Sequence, residues 1–409
     1  MDLYNTLTRK KEVFKAIKEG EVLFYQCGPT VYFTQHIGNL RAMVLSDLIR
    51  RTFLYNGYQV KFVRNYTDVG HLVSDGDSGE DKMEKGAKRE GLSPIKIAEK
   101  YIKIFEDDIK DLNTLEPAFK PKATEYIKEM QVMVQDLLDK GFAYSTPLAV
   151  YFDISKAKDY TRLSGQNLEK NREGAGVGDV EDPQKKNSAD FALWFFRAGK
   201  HKEAIQFWPS PFVSPLVEKG EGFPGWHIEC SAMIKALLGE TIDVHMGGIE
   251  HISVHHTNEI AQSESVNGVP LANYWLHNEW LTVNNGKMAK SEGTGFSLAE
   301  VKEKGFNPLA LRYFFLQANY RSKQNFTWEA MQSAQTGFDR LVNNVSALGE
   351  VIGKVDDSFR KEFLEKINND FNAPQALALT FAVLKSALSS EDKLATILDF
   401  DKVLGLNLK

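Results

Sequence analysis

The sequence predicts an α/β protein with a parallel sheet split by an insertion and followed by a mainly helical C-terminal bundle. Three observations predict it. A strand, a helix and a second strand succeed one another within about 45 residues near the N-terminus, as in a right-handed βαβ unit. A polar, glycine-rich stretch, "QNLEKNREGAGVGDVEDPQKKNSAD", then interrupts the compact pattern. After "KMAKSEGTGFSL" the chain reads as almost wholly helical to Lys409.

The elements follow in order. "EVLFYQCGPTVY" is a buried strand running into a Gly-Pro turn. "NLRAMVLSDLIRRTFLYNG" is helical, with Leu40, Val44, Leu45, Leu48 and Ile49 on one side. "YQVKFVRNYTDVG" is the second strand. "SPIKIAEKYIKIFEDDIKDL" and "ATEYIKEMQVMVQDLLDKG" are amphipathic helices, each ending near a turn signal. "FALWFFRAG" resumes compact structure after the polar stretch. "GFPGWHIECSAMIKALLG" is a turn leading into a helix, and "TIDVHMGG" is a short strand ending in glycines. "SVHHTNEIAQSESVNG" is a helix closed by Asn-Gly. The expected division is a first half of the split sheet at 1–115, an insertion at 116–204, a second half at 205–275, a linking segment at 276–330 and a helical bundle at 331–409.

Composition bounds the function. With 409 residues, 43% hydrophobic and 26% charged, the chain suits a soluble globular protein of about two to four domains. A net charge of -5 argues against coating nucleic acid through bulk charge, but leaves room for a local basic face. No apolar run approaches the ~20 residues of a membrane span, and "MDLYNTLTRK" carries no signal-peptide core. Two cysteines cannot build a disulfide framework, so the expected compartment is the cytoplasm.

Those two cysteines pose the first chemical question. Cys27 and Cys230 lie far apart in sequence, while His255 and Glu259 project from one face of a predicted helix. Two thiolates, an imidazole and a carboxylate make a zinc donor set. Spacing alone favours the blander reading, in which lone cysteines are small buried hydrophobes. His256 adds ambiguity, because adjacent helix residues point apart and only one is expected to face a metal. His251 and His255, also four apart, are a competing pair.

A second constellation concerns nucleotide. "HIGN" stands where the first strand hands over to a helix. The N–H groups there attract phosphate, Gly38 permits close approach and His36 can donate to a phosphate oxygen. The alternative is that Asn39 merely caps the helix. Much later, "GKMAKSEGTG" places Lys287 and Lys290 in a glycine-flanked loop, where two ammonium groups suit pyrophosphate. Either lysine alone reads as solvated surface.

Taken together, "YQCGPTVYFTQHIGNLR", "NYTDVG", "LSGQNLE", "DFALW", "GFPGWHIECSAM", "DVHMGG", "HHTNEIAQSE" and "GKMAKSEGT" resemble the cysteinyl-tRNA synthetase family of class I aminoacyl-tRNA synthetases. They occur in family order over residues 23 to about 300, and "DFNAPQALAL" resembles part of the family's helical bundle. The resemblance implies a class I synthetase Rossmann-type sheet. It implies zinc on Cys27, Cys230, His255 and Glu259, with the metal taking the thiolate of substrate cysteine. Thr67, Trp226 and His245 match residues that surround that substrate. Gly28, Thr30, His36, Gly38, Asn39, Lys287 and Lys290 match the ATP site, and His36, Asn39, Lys287 and Lys290 are the expected catalytic set. Mg2+ is expected with ATP. The implied reaction is attack of the cysteine carboxylate on the α-phosphate, then transfer to the 3′ end of tRNA(Cys). The expected partners are tRNA(Cys), cysteine and ATP, with no membrane, and the expected state is a monomer.

The sequence departs from the family pattern in places. Asn39 replaces the last His of "HIGH", and Ala289 replaces the Ser of "KMSKS". Glu250 and His251 stand where many members have Asp and an apolar residue, so a supporting role beside the metal is open to His251. "GAGVGDV" lacks an Arg often found in that insertion. The chain ends at "VLGLNLK", where the family usually continues into a small anticodon-reading domain, so a short form is expected. Lys302, Lys304, Arg312, Arg321, Lys323 and Arg340 are then candidates for positioning RNA phosphates, against the alternative of solvated helix surface. Two other functions stay open: a ligase that passes activated cysteine to a non-tRNA amine, as in the mycothiol pathway, and a catalytically silent zinc-dependent cysteine or RNA binder.

Overall fold

The computed structural model describes residues 1–70, 72, 81–166, 182–287 and 294–409, the side chain of Lys287 excepted. Ala289 and Lys290, and the end of "LSGQNLE", therefore lie outside the described residues. The chain opens with a hairpin of β1 (Asp2–Asn5) and β2 (Lys10–Val13). β3 (Glu21–Gln26), α1 (Ile37–Tyr55) and β4 (Gln59–Arg64) form the predicted βαβ unit, with β3 and β4 parallel. α2 (Lys82–Glu90), α3 (Pro94–Asp111) and α4 (Ile127–Asp139) follow. β5 (Ala143–Ser145), β6 (Ala149–Phe152), β7 (Phe191–Phe196) and β8 (Gly222–Pro224) form an antiparallel sheet. "GFP" thus closes the inserted sheet through its pairing with β7, although its sequence reads only as a turn before a helix.

The chain then returns to the parallel sheet through α5 (Trp226–Leu237), β9 (Ile242–Gly248), α6 (His255–Asn267) and β10 (Ala272–Asn278). The strand order is β10-β9-β3-β4, all parallel, so the two halves join between β3 and β9. Phe24 is the hinge of the register, opposite Phe62 on one side and Val244 on the other. All seven residues of β9 are buried, as expected of a central parallel strand covered on both faces.

A small sheet, ordered β12-β11-β13, links this core to the bundle. It pairs β11 (Leu281–Val283) with β12 (Gly286–Lys287) and with β13 (Gln324–Phe326). The rest is helical: α7 (Leu298–Glu303), α8 (Pro308–Leu316), α9 (Trp328–Ser346), α10 (Asp357–Ile367), α11 (Ala373–Lys385) and α12 (Ser390–Leu404).

α1 is the axle of the molecule. Leu40, Val44, Leu45, Leu48 and Ile49 are buried as their spacing predicts. So are Arg41, Asp47 and Arg51, because elements of the linking sheet and the bundle cover the polar face as well. This also corrects the reading of Arg312 as a surface cation for RNA. Arg312 is fully buried and pairs with Asp47 at 2.7 Å. Arg321 is committed too, to Asp370 and over the ring of Tyr4. Lys302 pairs with Asp111, while Lys304 and Lys323 lie over the rings of Trp328 and Trp280.

Candidate active site

Cys27, Gly28 and Thr67 lie just beyond the C-terminal ends of parallel strands, where ligands bind in sheets of this kind. Cys27 and Gly28 follow β3 directly, and Thr67 follows β4 by three residues. Trp226 and Cys230 stand on α5, and His255, His256 and Glu259 on α6.

Gly28 is demanded by a close approach of two strands. A Cβ there would lie 1.7 Å from the backbone oxygen of Asn65. Asn65 instead accepts the Gly28 N–H at 2.8 Å, and Thr30 pairs with Thr67 in a parallel bridge. This stitching fixes the loop that presents Cys27.

Cys27, Cys230, His255 and Glu259 are all buried, and one donor atom from each falls within a 4.8 Å cluster. His255 Nε2 is 3.0 Å from Glu259 Oε1 and 3.6 Å from Cys230 Sγ, and Cys27 Sγ is 3.7 Å from Glu259 Oε1. A tetrahedral ion with bonds of ~2.0–2.3 Å has edges of about 3.3–3.8 Å, so these separations are close to those of a zinc donor set. The chemistry fits as well, since two sulfurs with nitrogen and oxygen favour zinc over hard cations. His251 is not among the converging donors. Its ring lies 5.2 Å from that of His255, and its buried Nδ1 has no hydrogen-bond partner.

The expectation that only one of His255 and His256 faces the centre is corrected. His256 Nε2 approaches Cys27 Sγ at 3.3 Å, and a second tetrad, Cys27, His245, His256 and Glu259, also converges. Both rings reach the same carboxylate because His255 precedes Glu259 by four residues and His256 by three, the two spacings that share a helix face. His256 is held from behind: its Nδ1 is 2.7 Å from His277 Nε2, and His277 Nδ1 is 2.9 Å from Thr6 Oγ1. His245 Nε2 bonds Glu259 Oε2 at 2.8 Å, leaving Oε1 for the cluster. This is the outer layer that orients ligands in metal sites.

Electrostatics support a cation there. Burial disfavours the Glu259 carboxylate, but His245 and His255 hold its pKa far below the ordinary range. Burial likewise opposes an imidazolium at His255, yet Glu259 and Cys230 push it up to about 10. The Cys27 thiol is pushed up by burial and by Cys230. A site this rich in anionic donors is stabilised by a bound positive ion.

Trp226 stacks on His255 with centroids 4.2 Å apart, forming one wall. Thr67 Oγ1 donates to Glu229 Oε2 at 2.9 Å. Glu229 is fully buried, and burial, then Cys230, raises its carboxyl pKa. Sequence reasoning missed Glu229 and His277; no local spacing ties them to the site.

Further along the chain, His36 rather than Asn39 caps α1. His36 Nδ1 accepts the Asn39 N–H at 3.2 Å. The next amide, Ile37 N–H, donates at 2.8 Å to the backbone oxygen of Phe296, just beyond the lysine loop. On the near side of that loop, Lys287 pairs with Thr282 in the β11–β12 hairpin. The segment that carries the lysines is thus anchored to α1 on its far side. Gly38 and Asn39 occupy the first turn, partly exposed.

The chain matches the family model for the catalytic domain of class I (C) tRNA synthetases over residues 13–336. A cysteine–tRNA ligase 1 from Burkholderia lata is 44% identical over 411 residues, covering 100% of this chain and 84% of that protein. A cysteine–tRNA ligase from Treponema denticola is 42% identical over 434 residues, covering 100% and 86%. A methionyl-tRNA synthetase from Mycobacterium tuberculosis, solved with methionyl-adenylate, shares the fold at a TM-score of 0.61 and 13% identity, covering 94% of this chain and 90% of that one. The chain therefore belongs to the class I cysteinyl-tRNA synthetase family.

Proposed function

We propose that this chain activates cysteine with ATP and transfers it to the 3′ end of tRNA(Cys). The observation that carries the reading is the juxtaposition of a thiolate-rich donor cluster with the His36-capped N-terminus of α1, at one end of one parallel sheet. Cys27, Cys230, His255 and Glu259 would hold zinc. Bound there, zinc supplies an affinity for thiolate over hydroxyl that favours cysteine over serine.

The chain's own groups do the rest. Trp226 walls the amino-acid pocket, and Thr67, its hydroxyl proton given to Glu229, presents lone pairs to a donor. We assign His245 to orienting Glu259 within the cysteine pocket. His36, Gly38 and Asn39, at the start of α1, are assigned to the ATP phosphates with their Mg2+. Gly28 and Thr30, on the loop stitched to Asn65 and Thr67, are assigned to the ATP site. Lys287 and Lys290 are assigned to the pyrophosphate charge that develops as the carboxylate attacks the α-phosphate. Such a site works by positioning and charge stabilisation rather than by acid–base chemistry.

No helix among the described residues is long and apolar enough to cross a membrane. We further assign the enzyme to the cytoplasm as a monomer, with the five-part division at 115, 204, 275 and 330, except that the inserted sheet runs on to β8 at 222–224. The test is cysteine-dependent ATP–pyrophosphate exchange followed by charging of tRNA(Cys). Exchange without charging would redirect the activated cysteine to a non-tRNA amine; absence of exchange would reject the enzyme reading.

A further inference from the structure

Arg41 lies two residues beyond "HIGN" and is 1% exposed. Its guanidinium spends its N–H groups on the linking segment. Nε donates to Gln324 Oε1 at 3.1 Å, Nη1 to Glu279 O, and Nη2 to Ser322 O at 3.0 Å and Asn319 O at 3.3 Å. All four acceptors are uncharged groups, and among the described residues no ion pair involves Arg41. A buried cation without a bonded carboxylate is costly, so a tether of this kind calls for a reason beyond stability.

The acceptors supply that reason. Glu279 lies two residues before β11, and Gln324 opens β13, where it pairs with Leu281 of β11. Gln324 Nε2 also holds Phe314 O at 2.6 Å, tying the same point to α8. β11 pairs in turn with β12, which ends on Lys287. One rigid fork on α1 therefore grips the base of the hairpin that carries Lys287. The same helix, five residues earlier, presents the His36 cap.

We propose that Arg41 is a positioning residue for adenylate formation. It sets the lysine-bearing hairpin at a fixed place relative to the N-terminus of α1. Arg41 touches neither the donor cluster nor the Trp226 wall through any of these bonds, so its effect falls on the phosphate half of the reaction. The inference rests on the function proposed above. Zinc loading and cysteine binding are therefore predicted to be independent of Arg41, whereas turnover is not.

The experiment compares wild type, Arg41→Lys, Arg41→Met and Gln324→Met. It measures zinc content, kcat and KM for cysteine and ATP in pyrophosphate exchange, and thermal unfolding. Arg41→Met is expected to lower kcat by about 10²-fold, the size of a small misplacement of reacting groups. KM for cysteine and zinc content are expected to stay within about twofold. Arg41→Lys keeps the charge but loses the fork, so it recovers only part of the rate. Gln324→Met removes one acceptor, is the gentler probe if Arg41→Met does not fold, and is expected to show the same split in smaller measure. Combined with Lys287→Ala, Arg41→Met is expected to be clearly less than multiplicative, because both act on one step. A kcat within about threefold of wild type in Arg41→Met, or a rise in cysteine KM and a loss of zinc together with the fall in kcat, overturns the proposal. If wild type itself gives no exchange, the functional reading fails instead.

Discussion

Arg312 Nη2 donates to Asp47 Oδ2 at 2.7 Å, across 265 residues of sequence and with both side chains buried. Arg51 donates to the same oxygen at 2.7 Å, and Leu115 N–H takes Oδ1 at 2.8 Å. The remaining N–H groups of Arg312 reach Leu404 O, Leu112 O and Asn113 O, and Arg51 reaches Lys402 O. One carboxylate and two guanidiniums thus lock α1, the end of α3, α8 and the end of α12 into one body.

Breaking this lock from one side leaves a buried charge without its partner. Asp47→Asn and Arg312→Met are each expected to cost about 3–5 kcal/mol in urea unfolding at neutral pH. The sign of the pH effect follows from Asp47. Burial alone would raise its pKa, but Arg312 and Arg51 hold it below the ordinary value. Its contribution is therefore complete above the unfolded pKa of ~3.9 and is lost as pH falls through the lower folded value. Wild type should lose stability below about pH 4 more steeply than Asp47→Asn. Parallel curves would refute the linkage.

Asp108 on α3 predicts the opposite slope. Burial raises its carboxyl pKa to about 7 against the pull of Lys302, and Asp111 and Asp107 push the same way as burial. Its Oδ2 has no hydrogen-bond partner. Between the unfolded pKa of ~3.9 and about 7, the folded state holds a proton that the unfolded chain has lost. Stability from this group is thus full below ~pH 4 and is lost as pH rises through about 7. Asp108→Asn is expected to remove that decline and to melt above wild type at pH 8. Equal melting temperatures at pH 8 would count against it.

Gly28 offers a steric prediction. A methyl group at this position would overlap the Asn65 backbone oxygen, so the loop holding Cys27 must move. Gly28→Ala is expected to lower cysteine activation by about 10²-fold or more and to weaken zinc binding with it. Near-normal exchange and zinc content would show that the loop adjusts freely.

Legibility followed the range of the interactions. The βαβ unit and the helices were readable because hydrophobic spacing is local. Cys27, Cys230, His255 and Glu259 were each recognisable, but only the family resemblance joined them, since Cys27 and Cys230 meet through a sheet closed across the insertion. His256, His277 and Arg312 were misread or missed for one physical reason. Their partners, Cys27, Thr6 and Asp47, come from the far end of the chain, and a buried arginine has the same local pattern as an exposed one. The alternative in which Asn39 merely caps the helix does not hold, because a His36 nitrogen takes that role.

The two overlapping tetrads lead to the last prediction. Both contain Cys27 and Glu259, so removing either should empty the site whichever tetrad binds. The discriminating residues are Cys230 and His255 in one set, His245 and His256 in the other. His245 spends its Nε2 on Glu259 Oε2, and His256 is held through Nδ1 by His277 with its Nε2 toward Cys27, so the first set, with two sulfurs, is the expected zinc site. Purified protein is expected to carry roughly one zinc per chain. Cys230→Ser should lose it outright, whereas His256→Ala should retain it with about 10–100-fold weaker affinity. Metal analysis with chelator competition measures both. Cobalt substitution adds an independent reading, because the thiolate-to-cobalt absorption should report two sulfurs in wild type and in His256→Ala. A protein that keeps zinc in Cys230→Ser and loses it in His256→Ala would transfer the metal to the second tetrad, with Cys27 as its one sulfur.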